Sequence, residues 1–503
     1  MLRSQQLPRV LTVSHPSTGL KVGSKEALKK KIKQPCFFKS NFRKKSTVRH
    51  SLNLPCSNRP PKIASPDKNQ STFLDVSDIL RHKIICRSVS VRSDEPNEGN
   101  VHSYLEQGLG SIILICATAI ALFLANSASL SPLYKATLHK NIGPSALNLS
   151  MSLHHWVNEG LMALFFFTVG LEIKREFVHG SLSSLKKALL PCIGAVGGMI
   201  VPMLVYLFHN MNSPAGVLAG WAIPMATDIA FAMGVYGFFK SKLPSGVAAF
   251  LLTLATVDDL GAIIVIAVCF AKDLAFNYVI SALLTIFALV AACKRKVTNV
   301  NFFMCLFATL WYCLLKGGIN ADIAGVITAL CIPGAAHAPP TSMAPPEHKG
   351  AKVTLLDHLI HAWTPWTSLI VMPLFALANT GVLVDKSVLG SVAVSPVGQG
   401  IFYGLMLGKP LGIAGLSWLS VKFGVASFPK GMTMLHLGIV GILGGIGFTM
   451  SLFLIEMSLA AFPLVARTAK MAILSSSLIS AFLAAFLMSR LPQFPSEGAD
   501  IIL

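Results

Sequence analysis

The chain is 503 residues long, 53% hydrophobic and only 13% charged, about half the charge density of an ordinary soluble domain. With 39 glycines and 28 prolines, that composition excludes a water-soluble globular enzyme and a coiled coil. It fits a polytopic membrane protein. The formal charge of +20 is concentrated at the start, where residues 1–66 carry 15 Lys/Arg against a single acid, Glu26.

Residues 1–100 form a basic arm rich in Ser, Lys, Arg and Pro, with almost no acids before Asp67. That pattern is expected of an organelle transit peptide, because it lacks the apolar core of a secretory signal. Met1–Val10 has the character of an amphipathic mitochondrial presequence, while the long Ser-rich remainder down to Ile85-Cys86-Arg87-Ser88 is more plastid-like. A plastid membrane, envelope or thylakoid, is therefore preferred over the mitochondrial inner membrane, in a nuclear-encoded eukaryotic protein. Nothing in the arm has the aromatic interleaving of a nucleic-acid binder. The ten cysteines include no CxxC pair, so they indicate neither a metal site nor a disulfide framework.

From Gly108 onward, apolar runs long enough to cross a bilayer recur. Twelve spans are predicted, over residues 107–126, 156–173, 189–209, 216–238, 246–271, 274–293, 301–316, 320–335, 364–384, 398–421, 435–457 and 466–489. They form an all-α membrane domain over 101–490, followed by a short tail, 491–503. Loops after the even-numbered spans hold thirteen Lys/Arg against seven in the opposite loops. The positive-inside rule then puts both termini in the organelle interior.

Four ionisable residues lie within apolar runs, where a charge costs a few kcal/mol on the mildest scale. They are Asp228 in span 4, Asp258 and Asp259 side by side in span 5, and Lys409 in span 10. Two adjacent carboxylates cannot both remain ionised cheaply at low dielectric, so the pair shares protons or binds a cation. A hard monovalent cation takes oxygen ligands, and Asp258, Asp259 and Thr227 supply them. The competing reading of Asp258-Asp259 is a helix cap or a structural ion pair, but the pair sits a dozen residues inside its apolar run. Lys409 is too deep to snorkel and calls for a partner carboxylate. Asp228 serves packing equally well.

Two spans are predicted to be broken. Span 4 has Pro224 ahead of Thr227-Asp228, and span 11 has Gly438, Gly441, Gly444, Gly445 and Gly447. Gly/Pro-interrupted spans in two halves of a carrier point to half-helices meeting at the midplane, with Asp228 offsetting their positive ends and Lys409 their negative ends. Glycines used for tight helix packing are the alternative in span 11.

Several segments now carry a family resemblance: Ala226-Thr227-Asp228-Ile229-Ala230-Phe231-Ala232, Val257-Asp258-Asp259-Leu260-Gly261-Ala262, Gly408-Lys409-Pro410-Leu411-Gly412 and Gly445-Ile446-Gly447-Phe448-Thr449-Met450-Ser451. With Phe165–Glu176 and Pro373–Asn379, they resemble the bacterial NhaA-type Na+/H+ antiporters over residues 105–490. The resemblance implies an inverted-repeat fold of twelve helices, with spans 4 and 11 unwound and crossed. It further implies electrogenic exchange of Na+ or Li+ for H+ by alternating access, with no cofactor and a tendency to dimerise. Asp259 would be the principal cation and proton carboxylate, Asp258 its neighbour, and Lys409 the partner that releases Asp258 when the cation binds. Glu172, Glu176, Asp357, His358 and His361 match the family's pH-sensing interior entrance, with Asp357 in place of the usual Glu. Where well-known members carry a regulatory His before span 8, this chain has Gly318-Ile319-Asn320-Ala321-Asp322, and Asp322 near that entrance is an extra acid without an assigned role, for which a solvent-facing position is the simple reading. A Na+-coupled solute symporter of similar fold is the alternative function. An intramembrane aspartyl protease is excluded, because it needs aspartates on separate helices with a GxGD-type motif on one, whereas Asp258 and Asp259 are adjacent and Asp228 is preceded by Thr227.

Overall fold

The computed structural model describes residues 98–270, 274–334, 354–429 and 431–493. The expected transit segment and most of the expected tail lie outside the described residues. Among those described, ten helices are long and apolar enough to cross a membrane, or eleven when the bent pair Met434–Gly444 and Phe448–Ser458 counts as one span. The spans follow the predicted order: Gly108–Asn126, Leu153–Val178, Leu185–Met211, Leu218–Phe238, Ser245–Cys269, Phe276–Lys294 and Val300–Gly317, then, after span 8, Leu355–Asn379, Pro396–Lys422, the bent pair and Pro463–Ser489. Their outward faces carry Phe123, Phe208, Phe287 and Phe482, all well exposed, as a lipid-facing surface requires.

The twelve-span expectation is corrected at span 8. Residues 320–335 were expected to cross, but the helix runs only over Ile323–Cys331, nine residues. At 1.5 Å per residue that is about 14 Å, half of a hydrocarbon core. Its start is delayed because span 7 closes on Gly318 in the left-handed region (φ 76°), and its end comes at Ile332-Pro333. A small antiparallel ribbon, Asn141–Ile142 against Met151–Ser152, joins spans 1 and 2 and has no counterpart in the sequence reading.

Span 2 is the shared wall between two packed clusters. Met162, Phe166, Val169 and Ile173 face the larger one, built around spans 3, 4, 5, 10, 11 and 12. Ala163, Phe167 and Leu171 face the smaller one, built from spans 6, 7, 8 and the start of span 9. Both sets recur at three- to four-residue spacing, so one helix presents two apolar stripes. Spans 2 and 8 run side by side in the same direction, since Gly325 lies against Ala163 and Phe167, and Gly170 lies against Val326 and Ala329. Farther along, the Lys174 ammonium donates to the carbonyls of Leu330 and Ile332.

Spans 3 and 10 cross closely enough for Gly197 and Gly412 to meet. A Cβ on either would overlap the other's carbonyl oxygen, so only glycine fits at both positions. Gly198 beside this crossing packs on Ile413 and the Lys409 stem. Small residues let backbones approach within a bilayer, and here they carry Lys409 into the core.

Candidate functional site

Span 4 is a 3-10 segment, Leu218–Met225, followed by an extended stretch and the helix Ile229–Phe238. Pro224 removes a backbone donor, and Ala226 and Asp228 have extended backbone angles, so the helix breaks at this point. Span 11 breaks at Gly445-Ile446-Gly447 and bends by 43°. The two breaks touch. The Asp228 N–H donates to the Ile446 carbonyl (2.7 Å), the Thr227 hydroxyl to the Gly444 carbonyl (3.0 Å), and the Ser451 hydroxyl to the Ile223 carbonyl (2.8 Å). Gly441, by contrast, packs on the Pro410 backbone, so the span-11 glycines serve both the break and close packing.

Asp228 holds this crossing together. Its Oδ1 accepts the Phe231 N–H (3.0 Å), capping its own half-helix. Its Oδ2 accepts both the N–H (3.0 Å) and the hydroxyl (2.5 Å) of Thr449, capping the half-helix Phe448–Ser458. One carboxylate thus caps two positive helix ends in a region without bulk water. Asp228→Ala is expected to strand these donors and lower stability by about 3 kcal/mol, and Thr449→Val by about 1 kcal/mol. Thermal melts of the purified protein in detergent check the order of the two losses.

Asp258 and Asp259 lie midway along the helix Ser245–Cys269, each 1% exposed. Lys409 is fully buried, and its ammonium donates to Asp258 Oδ2 (2.6 Å) and to the Thr227 hydroxyl (2.8 Å). A turn of π-helix, Gly404–Gly408, precedes Lys409 and offsets the register of span 10 just ahead of Pro410. Lys409 therefore reaches the negative end of the half-helix Met434–Gly444 only through Thr227, whose hydroxyl bonds the Gly444 carbonyl. Asp258 Oδ1 and Asp259 Oδ1 are buried and accept no hydrogen bond. Asp258, Asp259, Thr227, Asp228 and Lys409, drawn from three spans, thus gather at the crossing of spans 4 and 11. Their arrangement offers two unpaired acidic oxygens beside an ion pair, which is a cage for a small cation or a proton.

The expected entrance residues lie at the far end of span 2 and the start of span 9. Arg175 Nε approaches Asp357 Oδ1 (3.5 Å), and Asp357 Oδ2 accepts the Thr354 hydroxyl (2.6 Å). Glu176 Oε2 accepts the Ser181 N–H, closing the end of its helix. Glu172 and His358 are half-buried, and His361 is exposed. Among the described residues no three His, Cys, Asp or Glu side chains converge as a metal site would require.

The expectation that Asp322 faces solvent is overturned. It is 2% exposed, because the turn Asn320-Ala321-Asp322 packs against span 2 instead of bulging outward. It also lies away from the Arg175–Asp357 end, because spans 2 and 8 run in parallel and Lys174 sits at the opposite end of the short helix. A polar cluster that sequence reasoning missed joins spans 2, 9, 11 and 12. His154 and Asn158 hydrogen-bond Asn379, and Lys470 pairs with Glu456 (2.7 Å) near His154. No local signal could have found it, because it joins side chains from four spans that are far apart along the chain.

A family model described as Na+/H+ antiporter 1 matches residues 103–488. The chain is 42% identical over 378 residues to the Na(+)/H(+) antiporter NhaA 2 of Clostridium beijerinckii, covering 75% of this chain and 90% of that one. It is 43% identical over 386 residues to the Na(+)/H(+) antiporter NhaA of Pelagibacter ubique, covering 76% and 95%. It is 39% identical over 405 residues to the Shewanella loihica protein of the same name, covering 80% and 99%. Among solved structures, the sodium proton antiporter MjNhaP1 from Methanocaldococcus jannaschii aligns with a TM-score of 0.44 at 16% identity, over 77% of this chain and 97% of that one.

Proposed function

Because this chain belongs to the Na+/H+ antiporter 1 family, whose NhaA relatives exchange Na+ for H+, we propose that it carries Na+ or Li+ against protons at Asp258 and Asp259 by alternating access. The observation that carries the reading is one contact set: Lys409 neutralises Asp258, while Asp258 Oδ1 and Asp259 Oδ1 stay buried and unpaired next to it. An arriving cation takes those oxygens and the Thr227 oxygen as ligands and displaces the ammonium from Asp258. Protons on the same carboxylates exclude the cation, so the two cargoes compete for one set of atoms. Fixed half-helix ends around the site, held by Asp228, provide a rigid frame about which the two sides open in turn.

In this proposal the transporter sits in a plastid membrane, delivered there by the basic arm, and sets organelle cation and pH balance as a homodimer. Its rate responds to pH through the entrance formed by Glu172, Glu176, Asp357, His358 and His361, where Arg175 bridges two helices. The test uses purified protein in liposomes with an acid-inside pH gradient. Added Na+ is expected to collapse the gradient without any organic solute. A collapse only when a solute accompanies Na+ would move the assignment to a symporter, and no collapse would end it.

A further inference from the structure

Three cations at the face opposite the Arg175–Asp357 entrance stand apart from the exchange site. Lys135 lies in the last turn of the short helix Ser131–Leu138 after span 1, and Arg467 and Lys470 lie at the start of span 12. Their face is fixed by Glu456, which pairs with Lys470 (2.7 Å) and lies 3.9 Å from His154 at the start of span 2. All four residues line one cavity of about 270 Å³, several times the roughly 30 Å³ share of one water. Glu456 is the only acid among the lining residues, so three cations stand against one carboxylate.

Solvated lysines and arginines ordinarily spread apart because like charges repel, whereas these converge on one cavity. Lys470 already holds Glu456, and Lys135 and Arg467 are exposed with no acid at ion-pair distance among the described residues. Span 12 adds to the imbalance. The helix Pro463–Ser489 begins without a side-chain cap and with no acid in its first turn, so its positive end opposes Arg467 and Lys470. Leu383 and Leu459 supply an apolar wall, and exposed Leu464, one turn before Arg467, continues it onto the outer surface of the bundle. An arginine fork takes two phosphate oxygens at once, and ammonium groups add point charges. Basic pockets between membrane helices hold anionic headgroups by the same contacts.

We propose that Lys135, Arg467 and Lys470 form a binding site for a phosphate-type anion, supplied by an anionic phospholipid headgroup or by free phosphate. The anion accepts hydrogen bonds from the Arg467 guanidinium and the Lys135 ammonium, while Lys470 stays with Glu456 and adds its positive field. Bound there, it ties the segment after span 1 to spans 11 and 12. That is the far end of the half-helix Phe448–Ser458, whose other end Asp228 caps through Thr449. Occupancy steadies the fold and does not depend on the antiport reading.

The test reads the thermal midpoint of the purified full chain in a neutral detergent, with phosphatidylglycerol, phosphatidylcholine or inorganic phosphate added at constant ionic strength. Phosphatidylglycerol is expected to raise the midpoint by about 3–5 °C over phosphatidylcholine, as a ligand well above its dissociation constant does. A rise with the lipid alone identifies a headgroup as the source, and an equal rise with inorganic phosphate identifies the free anion. The double change Lys135→Gln with Arg467→Gln is expected to lose the rise, and the fold survives because both side chains are exposed. The double change Lys186→Gln with Lys187→Gln, exposed on the other face, is expected to keep it. No rise with either anion in the unaltered protein, or a rise that the Lys135/Arg467 variant retains, would overturn the site. An equal loss in both double variants would also overturn it, by reducing the effect to overall charge.

Discussion

Replacing Asp259 by asparagine is expected to abolish Na+-driven proton movement while leaving the protein folded. The amide has nearly the same shape as the carboxyl, so the packing of Ser245–Cys269 survives, with a thermal midpoint within about 4 °C of the parent. What it loses is the ability to carry a charge or give up a proton. Of the two buried carboxylates, Asp258 already spends one oxygen on Lys409, whereas nothing satisfies Asp259 Oδ1. The measurement is dissipation of a pH gradient by Na+ in liposomes, alongside a melt of the same preparation. Full exchange by the variant would take the role away from Asp259.

Lys409→Met is expected to have the larger effect on stability. The ammonium is fully buried between Asp258 and Thr227, and methionine fills the space without the charge. Removing one partner of a buried ion pair leaves the other uncompensated, typically at about 3–5 kcal/mol. The strain is expected to fall when Asp258 is also changed to Asn, because both charges are then gone. Apparent Na+ affinity or exchange stoichiometry should also change, since the cation no longer competes with an internal ammonium. A variant unchanged in melting, affinity and stoichiometry would sink the ion pair as a working part of the exchanger.

The contrast between Asp228 and Asp322 shows where reading the chain residue by residue stops. Asp228 beside Pro224 was legible as belonging to a helix break, because proline's missing donor is a local property. Its second duty, capping a half-helix more than two hundred residues later through Thr449, was not. Asp322 sits in a polar, glycine-flanked turn, where an exposed acid is the ordinary expectation. Burial came from the way span 8 lies along span 2, which no neighbouring residue announces. Span 8 itself was overestimated because hydropathy counts apolar residues without regard to the turn that uses them. Glycine at 318 and proline at 333 shorten the helix between them.

By itself the sequence determined the membrane class, the order of the spans, the sites of both breaks and the identity of the charges inside them. Each of these depends on composition or spacing within some twenty residues. Only the tertiary structure decided which charges meet. Lys409 finds Asp258 across 151 positions and Thr227 across 182, because a glycine crossing lets spans 3 and 10 approach and a π-turn offsets the register of span 10. A side chain's partner across such a distance is set by crossing geometry and close packing, and these belong to the assembled bundle.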